Sequence, residues 1–223
     1  MKKIAPILLL LAIISFSNCN EKACKNEIFF GDFELSATAK SYNPYLPIHK
    51  RVVFVDDVGV EYKFEIQDNV LQMESSVAPG PCPEDDSETA FFRSNYTFYR
   101  LKLNGLSTNL RFEMWLIERF PQPNEGGITG EEFFIQALDG IVNETALYHR
   151  INQFDREGNP ISHEDNSEIL DSFQLLNKTF YQVIKNSGTS HPKYHVYYNQ
   201  EFGLIGFKDT VTSKEYVFER IEN

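Results

Sequence analysis

The chain has 223 residues, of which 42% are hydrophobic and 14% aromatic, with 21 Lys and Arg against 32 Asp and Glu. This composition excludes a disordered tail and suits one domain with an ordinary buried core. The net charge of −11 excludes nucleic acid as an expected partner, because phosphate contacts need a basic face. It also disfavours electrostatic attraction to an anionic membrane surface.

The first 18 residues have the organisation of a secretory signal peptide. Lys2 and Lys3 precede an apolar run over residues 4–14, and small and polar residues follow at 15–18. The run is about half of the ~20 residues that a membrane-spanning helix needs. We therefore expect a signal helix that is cleaved from the mature protein.

The residues around the first cysteine favour a lipid anchor. Phe16-Ser17-Asn18-Cys19 resembles the lipobox of bacterial lipoproteins, in the looser form found in Bacteroidota, although the family usually has Leu at the position of Phe16 and Gly or Ala at that of Asn18. The resemblance implies that Cys19 carries lipid, including palmitate, that residues 19–25 form a tether, and that the protein is anchored in the outer membrane. The alternative is cleavage after the small-x-small pattern of Ser15 to Ser17, which would release a soluble secreted protein.

The cysteine count agrees with lipidation. The chain has three cysteines, so a lipid on Cys19 leaves Cys24 and Cys82 as an even pair in an oxidising compartment. We predict a disulfide between these two residues, which would tie the N-terminal segment to the loop at Cys82; the alternative is two separate thiols. Three cysteines exclude a four-cysteine zinc site, and we expect no metal.

Residues 26–223 read as a single β-rich domain with short strands and turn signals. Gly59 and the pair Asn104-Gly105 mark two hairpins. Residues 75–87, with three prolines and an acidic run, predict a surface loop, and residues 121–130 a lobe boundary. The predicted strands span residues 28–35, 51–55, 60–66, 97–103, 110–117, 132–138, 146–154, 194–198, 204–208 and 215–221.

One predicted strand has a pronounced alternation of apolar and polar residues. Leu110, Phe112, Met114 and Leu116 share one face of it, so we expect this strand to be central and this face to lie in the core. The fold class that follows from these patterns is all-β, with a largely antiparallel sheet as an open sandwich or a partly closed barrel.

The C-terminal part supports the same lineage. Residues 171–184 and 196–207 resemble the ending of many uncharacterised Bacteroidota lipoproteins, a group that implies a compartment but no activity. Residues 167–176 fit either a helix or a strand by periodicity. The resemblance favours the strand.

Residues that could carry chemistry are few. We single out no catalytic residue and no cofactor, because nucleophile elbows, phosphate loops and zinc-protease motifs do not occur. His191 and His195 would lie about 13 Å apart on a strand, too far to share a metal ion. The acidic runs at 84–88 and 164–166 read as solvated loops, and Glu131-Glu132 is a weak candidate for a hydrolase pair, because neighbours on a strand point to opposite faces.

Pairs of adjacent aromatic residues are the remaining candidates for a binding surface. They occur at 29–30, 91–92, 180–181 and 197–198. They could bind sugars or hydrophobic ligands, but we expect that most serve core and cross-strand packing, with one ring of each pair on either face.

These observations lead to three hypotheses of function. The leading one is a non-catalytic binding or accessory module of the cell envelope, whose partner is an envelope protein, a glycan or a hydrophobic ligand. It predicts an exposed aromatic or apolar patch, or a concave sheet face, and no perturbed carboxylate or histidine cluster. A second is a cell-envelope hydrolase with a site assembled from distant residues. A third is a half-barrel carrier of acyl chains, with a cavity lined by Phe112, Met114 and Leu116.

Overall fold

The computed structural model describes residues 27–45, 51–82, 89–119, 129–154, 160, 167–186 and 192–223. They form twelve strands and one helical turn, α1 (Ala37–Lys40). The strands are β1 (Glu27–Phe33), β2 (Arg51–Asp56), β3 (Glu61–Pro81), β4 (Thr89–Gly105), β5 (Arg111–Arg119), β6 (Thr129–Leu138), β7 (Asn143–Phe154), β8 (Ser167–Leu175), β9 (Lys178–Asn186), β10 (Tyr194–Asn199), β11 (Gly203–Asp209) and β12 (Glu215–Glu222).

All strands belong to one sheet, which confirms the all-β class and the partly closed barrel. Its order is β7-β6-β5-β4-β3-β2-β12-β11-β10-β9-β8, and all neighbours on this path are antiparallel. The sheet curls until its end strands approach each other, but the seam stays unsealed. β1 lies off this path and pairs in parallel with β4.

The alternation in β5 is confirmed. Leu110, Phe112, Met114 and Leu116 are all buried and belong to the main core inside the barrel. The rings of Phe64, Phe112 and Phe207, from three different strands, meet at centroid distances of 5.0–6.0 Å. Edge-to-face and tilted contacts of this kind stabilise the core beyond the burial of apolar area.

Two details of the predicted topology differ. Residues 75–81, expected in a loop, continue β3 and pair with β4; prolines fit there because that part of β3 pairs on one side only. Asn104 pairs with Arg111 of β5, and Gly105 pairs with Phe64 of β3. The Gly105 N–H donates to the Leu110 carbonyl, so the turn follows this dipeptide. Residues 167–175 form a strand, as the resemblance favoured.

Two residues of the predicted lobe boundary at 121–130 lie in the described part of the chain. Thr129 and Gly130 begin β6, and Gly130 pairs with Arg119 at the end of β5. The rest of this predicted boundary, residues 121–128, lies outside the described residues, as do the predicted signal peptide and tether.

A short segment after β1 fills the barrel. Residues 36–45, here called the plug, contain α1 and place Ala39, Tyr42 and Tyr45 in the main core. Ser36 caps α1 by accepting the Ala39 N–H, as helix starts require. Tyr45 is 1% exposed, and its hydroxyl accepts the backbone N–H of Leu204 at 2.8 Å.

The last hairpin of the sheet order folds back over the barrel wall. β9 pairs with β10 only through Lys185 and Ile184. A second core then forms between the β8–β9 hairpin and the outer face of β10–β12; it contains Leu175, Phe180, Val183, Tyr197, Ile205 and Val217. Lys178 fastens this layer, because its ammonium donates to the Phe218 carbonyl at 2.8 Å.

The long hairpin of β3 and β4 extends past its neighbours. β2 pairs with β3 only at residues 61–65, and β5 pairs with β4 only at 98–104. Beyond them, residues 70–81 and 89–96 form a three-stranded sheet with β1, here called the blade. On one face, Cys82, Ala90 and Phe92 are buried in a small cluster with Ile28.

Hydrogen bonds and an ion pair connect the two sides of the seam near β10. Glu144 of β7 accepts the backbone N–H groups of Lys193 and Tyr194 at 3.1 and 2.8 Å. Asp139 forms an ion pair with the Lys193 ammonium and accepts the Tyr194 hydroxyl at 3.0 Å. The ammonium and these hydrogen bonds hold the pKa of Asp139 far below its usual range.

Candidate functional site

An open groove lies where β9, the β10–β11 turn and the plug meet. It measures about 320 Å³ and is lined by Tyr42, Ile169, Tyr181, Gln182, Ile184, Asn199, Gln200 and Glu201. Tyr181 is 68% exposed and Ile169 53% exposed, although both belong to the ordered β8–β9 hairpin. An aromatic ring beside amide and carboxylate side chains is a surface of the kind that binds polar ligands with apolar faces.

The backbone of β9 explains why Tyr181 points to solvent. Gln182 has a φ of +51°, which is rare for a non-glycine residue inside a strand. Regular alternation is interrupted there: Phe180 and Val183 both enter the second core, while Tyr181 and Gln182 are exposed. Such left-handed residues cost about 1–3 kcal/mol and cluster at functional sites.

The floor of the groove is held by Asn199. Its amide nitrogen donates to the Tyr181 carbonyl at 3.3 Å, and its amide oxygen accepts the Phe202 N–H at 2.9 Å. Asn199 is 3% exposed, so it fixes the distance between β9 and the β10–β11 turn. This leaves the Tyr181 ring and the exposed side chains of Gln200 and Glu201 to meet a ligand.

A second notable group is a pair of carboxylates inside one end of the barrel. Glu118 of β5 and Glu131 of β6 lie opposite each other in the ladder and share its inner face. Glu131 is buried, and its oxygens accept the Ser36 N–H, the Ser36 hydroxyl at 2.7 Å and the Asn152 amide at 2.9 Å. This carboxylate therefore fastens the start of the plug to β6 and β7.

Glu118 differs from Glu131 in its hydrogen bonding. Its Oε2 is buried without a hydrogen-bond partner. Burial, and secondarily the charge of Glu131, raise the pKa of Glu118 to about 7. Glu118 and Glu131 thus bring two carboxyl groups together from strands that a long connection joins. The hypothesis of a non-catalytic module expected no perturbed carboxylate, so the structure differs from it in this respect.

His149 bridges the edge strands and the plug. Its Nδ1 lies 2.9 Å from the Ser167 hydroxyl of β8, and its Nε2 lies 3.2 Å from the Tyr42 hydroxyl. The Tyr42 and His149 rings also stack at 5.7 Å. These contacts cross the seam between β7 and β8, so we assign His149 a structural task in holding the barrel edges together.

The interior beside Met114, Leu116 and Phe133 has little free volume. The cavity there measures about 10 Å³, roughly the minimum that holds a single water molecule. Tyr42, Tyr45 and Tyr198 fill the space there. This packing argues against the acyl-carrier hypothesis.

The predicted site residues have different outcomes. Cys82 is fully buried in the blade, whereas Cys19 and Cys24 lie outside the described residues, so the lipid and the disulfide stay predictions. His195 lies on β10. The described residues do not include three other histidines, His49, His163 and His191, or the acidic runs at 84–88 and 164–166. Among the residues that the structure describes, no group of three potential metal ligands occurs.

The aromatic pairs follow the expected packing where both rings are described. Phe92 and Phe180 are buried, while their neighbours Phe91 and Tyr181 are exposed. Tyr197 and Tyr198 are both buried, but in the second core and the main core respectively. The pair at 180–181 places one ring in the second core and the other in the lining of the groove, although nothing in the sequence distinguishes it from the other three.

Comparison with known proteins adds no functional information. No protein-family model matches the chain, and no similar protein was found among curated proteins or solved structures. Within the described part of the chain, no helix has the length and apolar character needed to cross a membrane.

Proposed function

We propose that this protein is an exported lipoprotein, anchored in the outer membrane through Cys19, that acts as a non-catalytic binding module of the cell envelope. Its ligand in this proposal is a glycan, bound in the Tyr181 groove. The observation that carries the proposal is the exposed Tyr181 ring, held in place beside Gln200 and Glu201 in a groove of about 320 Å³.

The chemistry of the groove suits a short saccharide. A sugar ring has an apolar face of C–H groups that stacks on a tyrosine ring, and hydroxyl groups around its edge that hydrogen-bond to amides and carboxylates. Ile169 adds a second apolar side chain to the lining of the groove. A volume of this size lies at the lower end of the range for small-ligand sites.

Replacement of Tyr181 by alanine tests the ligand. We expect the full chain to bind saccharides on an array of bacterial-envelope and host glycans, and Tyr181→Ala to weaken binding to the best of them by about tenfold, the effect of losing one stacking contact. Titration calorimetry measures the change. Phe91→Ala, at an exposed ring on the blade, is the matched control and should bind as the parent does. Equal affinities for Tyr181→Ala and the parent would remove the groove from the proposal.

The anchor is tested by intact mass. Protein extracted from its native membrane in detergent should have the mass of the chain from Cys19 to Asn223 plus several acyl groups, because stable anchoring takes more than one chain. Cys24 and Cys82 should react with an alkylating reagent only after reduction, as the predicted disulfide requires. An unmodified chain that begins near Asn18 would refute the lipid anchor.

A second candidate function, hydrolysis, has one observation in its favour. Glu118 and Glu131 combine a carboxyl group with a pKa raised to about 7 and a neighbouring carboxylate, an arrangement that acid–base catalysis uses. Peptidoglycan and nitrophenyl glycosides, assayed between pH 5 and 8, are the substrates to use. Turnover that disappears in Glu118→Gln would support the hydrolase; a parent protein without turnover would not.

A further inference from the structure

We propose that one face of the blade lies on the lipid surface of the membrane that holds the anchor. This inference rests on the lipid anchor of the proposed function and adds a second point of membrane contact. The face consists of Phe29 of β1, Leu71, Met73 and Val77 of β3, and Phe91 of β4, and is here called the apolar face.

The ladder places these side chains together. Phe29 and Val77 are both direct partners of Arg93, and direct partners point to the same side of a sheet. Phe91 pairs with Pro79 one row further along, and Met73 and Leu71 continue the row toward the barrel. A register shift between Gln67 and Val70, with Asp68 at a φ of +55°, puts Leu71 and Met73 on this side.

The apolar face is more exposed than a stable soluble surface usually leaves such residues. Its five side chains are between 43% and 59% exposed, while Ala90 and Phe92 on the opposite face are buried. Large apolar residues gathered on one side of a sheet, rather than scattered, mark a surface that contacts something else.

Few charged side chains lie on the apolar face, and two of them pair with each other. Arg93 forms an ion pair with Glu27 at 3.0 Å. Asp32 accepts a hydrogen bond from Asn95 at 2.7 Å, and Asn95 in turn accepts the Ser75 hydroxyl. A chain with a net charge of −11 is repelled by anionic headgroups as a whole, so a surface with little net charge is the one it can turn toward a membrane.

The length of the tether favours a lipid surface as the contact partner of the apolar face. Seven residues lie between Cys19 and Glu27, the first residue of β1. A fully extended chain spans at most about 3.6 Å per residue, so the eight steps from Cys19 to Glu27 cover at most roughly 29 Å. β1 is itself a strand of the blade, and Phe29 is its third residue. An acylated Cys19 therefore keeps the apolar face within about the thickness of one bilayer core from the lipid.

Tryptophan reporters on the anchored protein test this contact. The full chain is reconstituted in phosphatidylethanolamine vesicles with and without lipids brominated near the headgroup end of the acyl chain. Two variants, Phe91→Trp and Val77→Trp, report from the apolar face, and Tyr181→Trp is the matched control at another exposed position. The parent protein, with Trp115 alone, gives the baseline.

We expect bromine to quench about half of the added fluorescence in both blade variants and little in Tyr181→Trp, because an apolar surface segment enters only the outer ~5–10 Å of the acyl region. Quenching absent from both blade variants in acylated protein would overturn the inference and leave the anchor intact. Self-association that buries residue 91 and abolishes quenching would also overturn the inference. The apolar face would then be assigned to contact with a second copy of the chain.

The same reporters separate failure of the anchor from failure of the inference. If intact mass shows no acyl groups, the proposed anchor is refuted. The unacylated exported protein is then added to the same vesicles: quenching at residues 77 and 91 supports lipid contact through the apolar face, and its absence overturns it.

Discussion

Replacement of Gly203 by alanine is expected to lower the free energy of unfolding by about 3 kcal/mol, from a left-handed backbone and an overpacked core. Gly203 begins β11 at a φ of +80°, and an added Cβ would overlap the hydroxyl and ring carbons of Tyr45. Tyr45 has no room to move, because it is 1% exposed and its hydroxyl is bonded to the Leu204 N–H.

A double-mutant cycle in urea separates the two causes. In a Tyr45→Ala background the overlap is gone, so Gly203→Ala should cost only about 1 kcal/mol, the backbone contribution. Gly59→Ala is the matched control, since Gly59 has a φ of +83° and no atom within 4 Å of an added Cβ. It should cost a similar ~1 kcal/mol. An equal cost of Gly203→Ala in both backgrounds would show that the plug yields to the added methyl group.

Stability is expected to fall as the pH rises from about 4.5 to 7, and Glu118→Gln should remove this dependence. Burial raises the pKa of Glu118 in the folded state to about 7 from its ordinary value of 4.5, so between these pH values the folded state binds more protons than the unfolded state. A raised carboxyl pKa makes a contribution that is fully present below the unfolded pKa and is lost as the pH rises through the folded one.

The size of the effect follows from the same shift. A difference of this size would be worth roughly 3 kcal/mol for a fully buried group, and partial exposure of Glu118 reduces it to about 1–2 kcal/mol. Urea unfolding of the parent and of Glu118→Gln at pH 5 and pH 8 measures it. Glu201→Gln, at an exposed carboxylate, is the control and should keep the parent's pH dependence. If Glu118→Gln loses as much stability between pH 5 and pH 8 as the parent does, the assignment of the pH dependence to Glu118 is refuted.

The sequence predicted the barrel wall better than its interior. Alternation placed Phe112, Met114 and Leu116 in the core correctly, because a strand with two paired neighbours and one buried face must alternate. The plug has no such period: Tyr42 and Tyr45 follow a single helical turn and lie outside every predicted strand. Their burial depends on the space that the barrel wall leaves, which local patterns do not report.

The candidate groove and the carboxylate pair show two further limits. The exposure of Tyr181 depends on the positive φ of Gln182, and glutamine gives no warning of a left-handed conformation. Glu118 and Glu131 meet through the register of β5 and β6 across a long connection. Local sequence signals fix register only in short hairpins, so the sequence offers Glu131-Glu132 as a hydrolase pair and not Glu118 with Glu131.

The pairing of β2 with β12 has a consequence for the order in which the protein folds. β3 to β7 form a meander of hairpins between strands adjacent in sequence, contacts that close quickly. Val55, near the start of the sheet, pairs with Val217, near its end, so this contact joins residues about 160 positions apart and forms only when nearly the whole chain is available. Until then β2 has one free edge and the plug lacks its Leu204 partner. A chain that emerges N-terminus first must keep these apolar edges from associating with other chains, and protection of β2 amides from hydrogen exchange should therefore develop after that of β5 and β6.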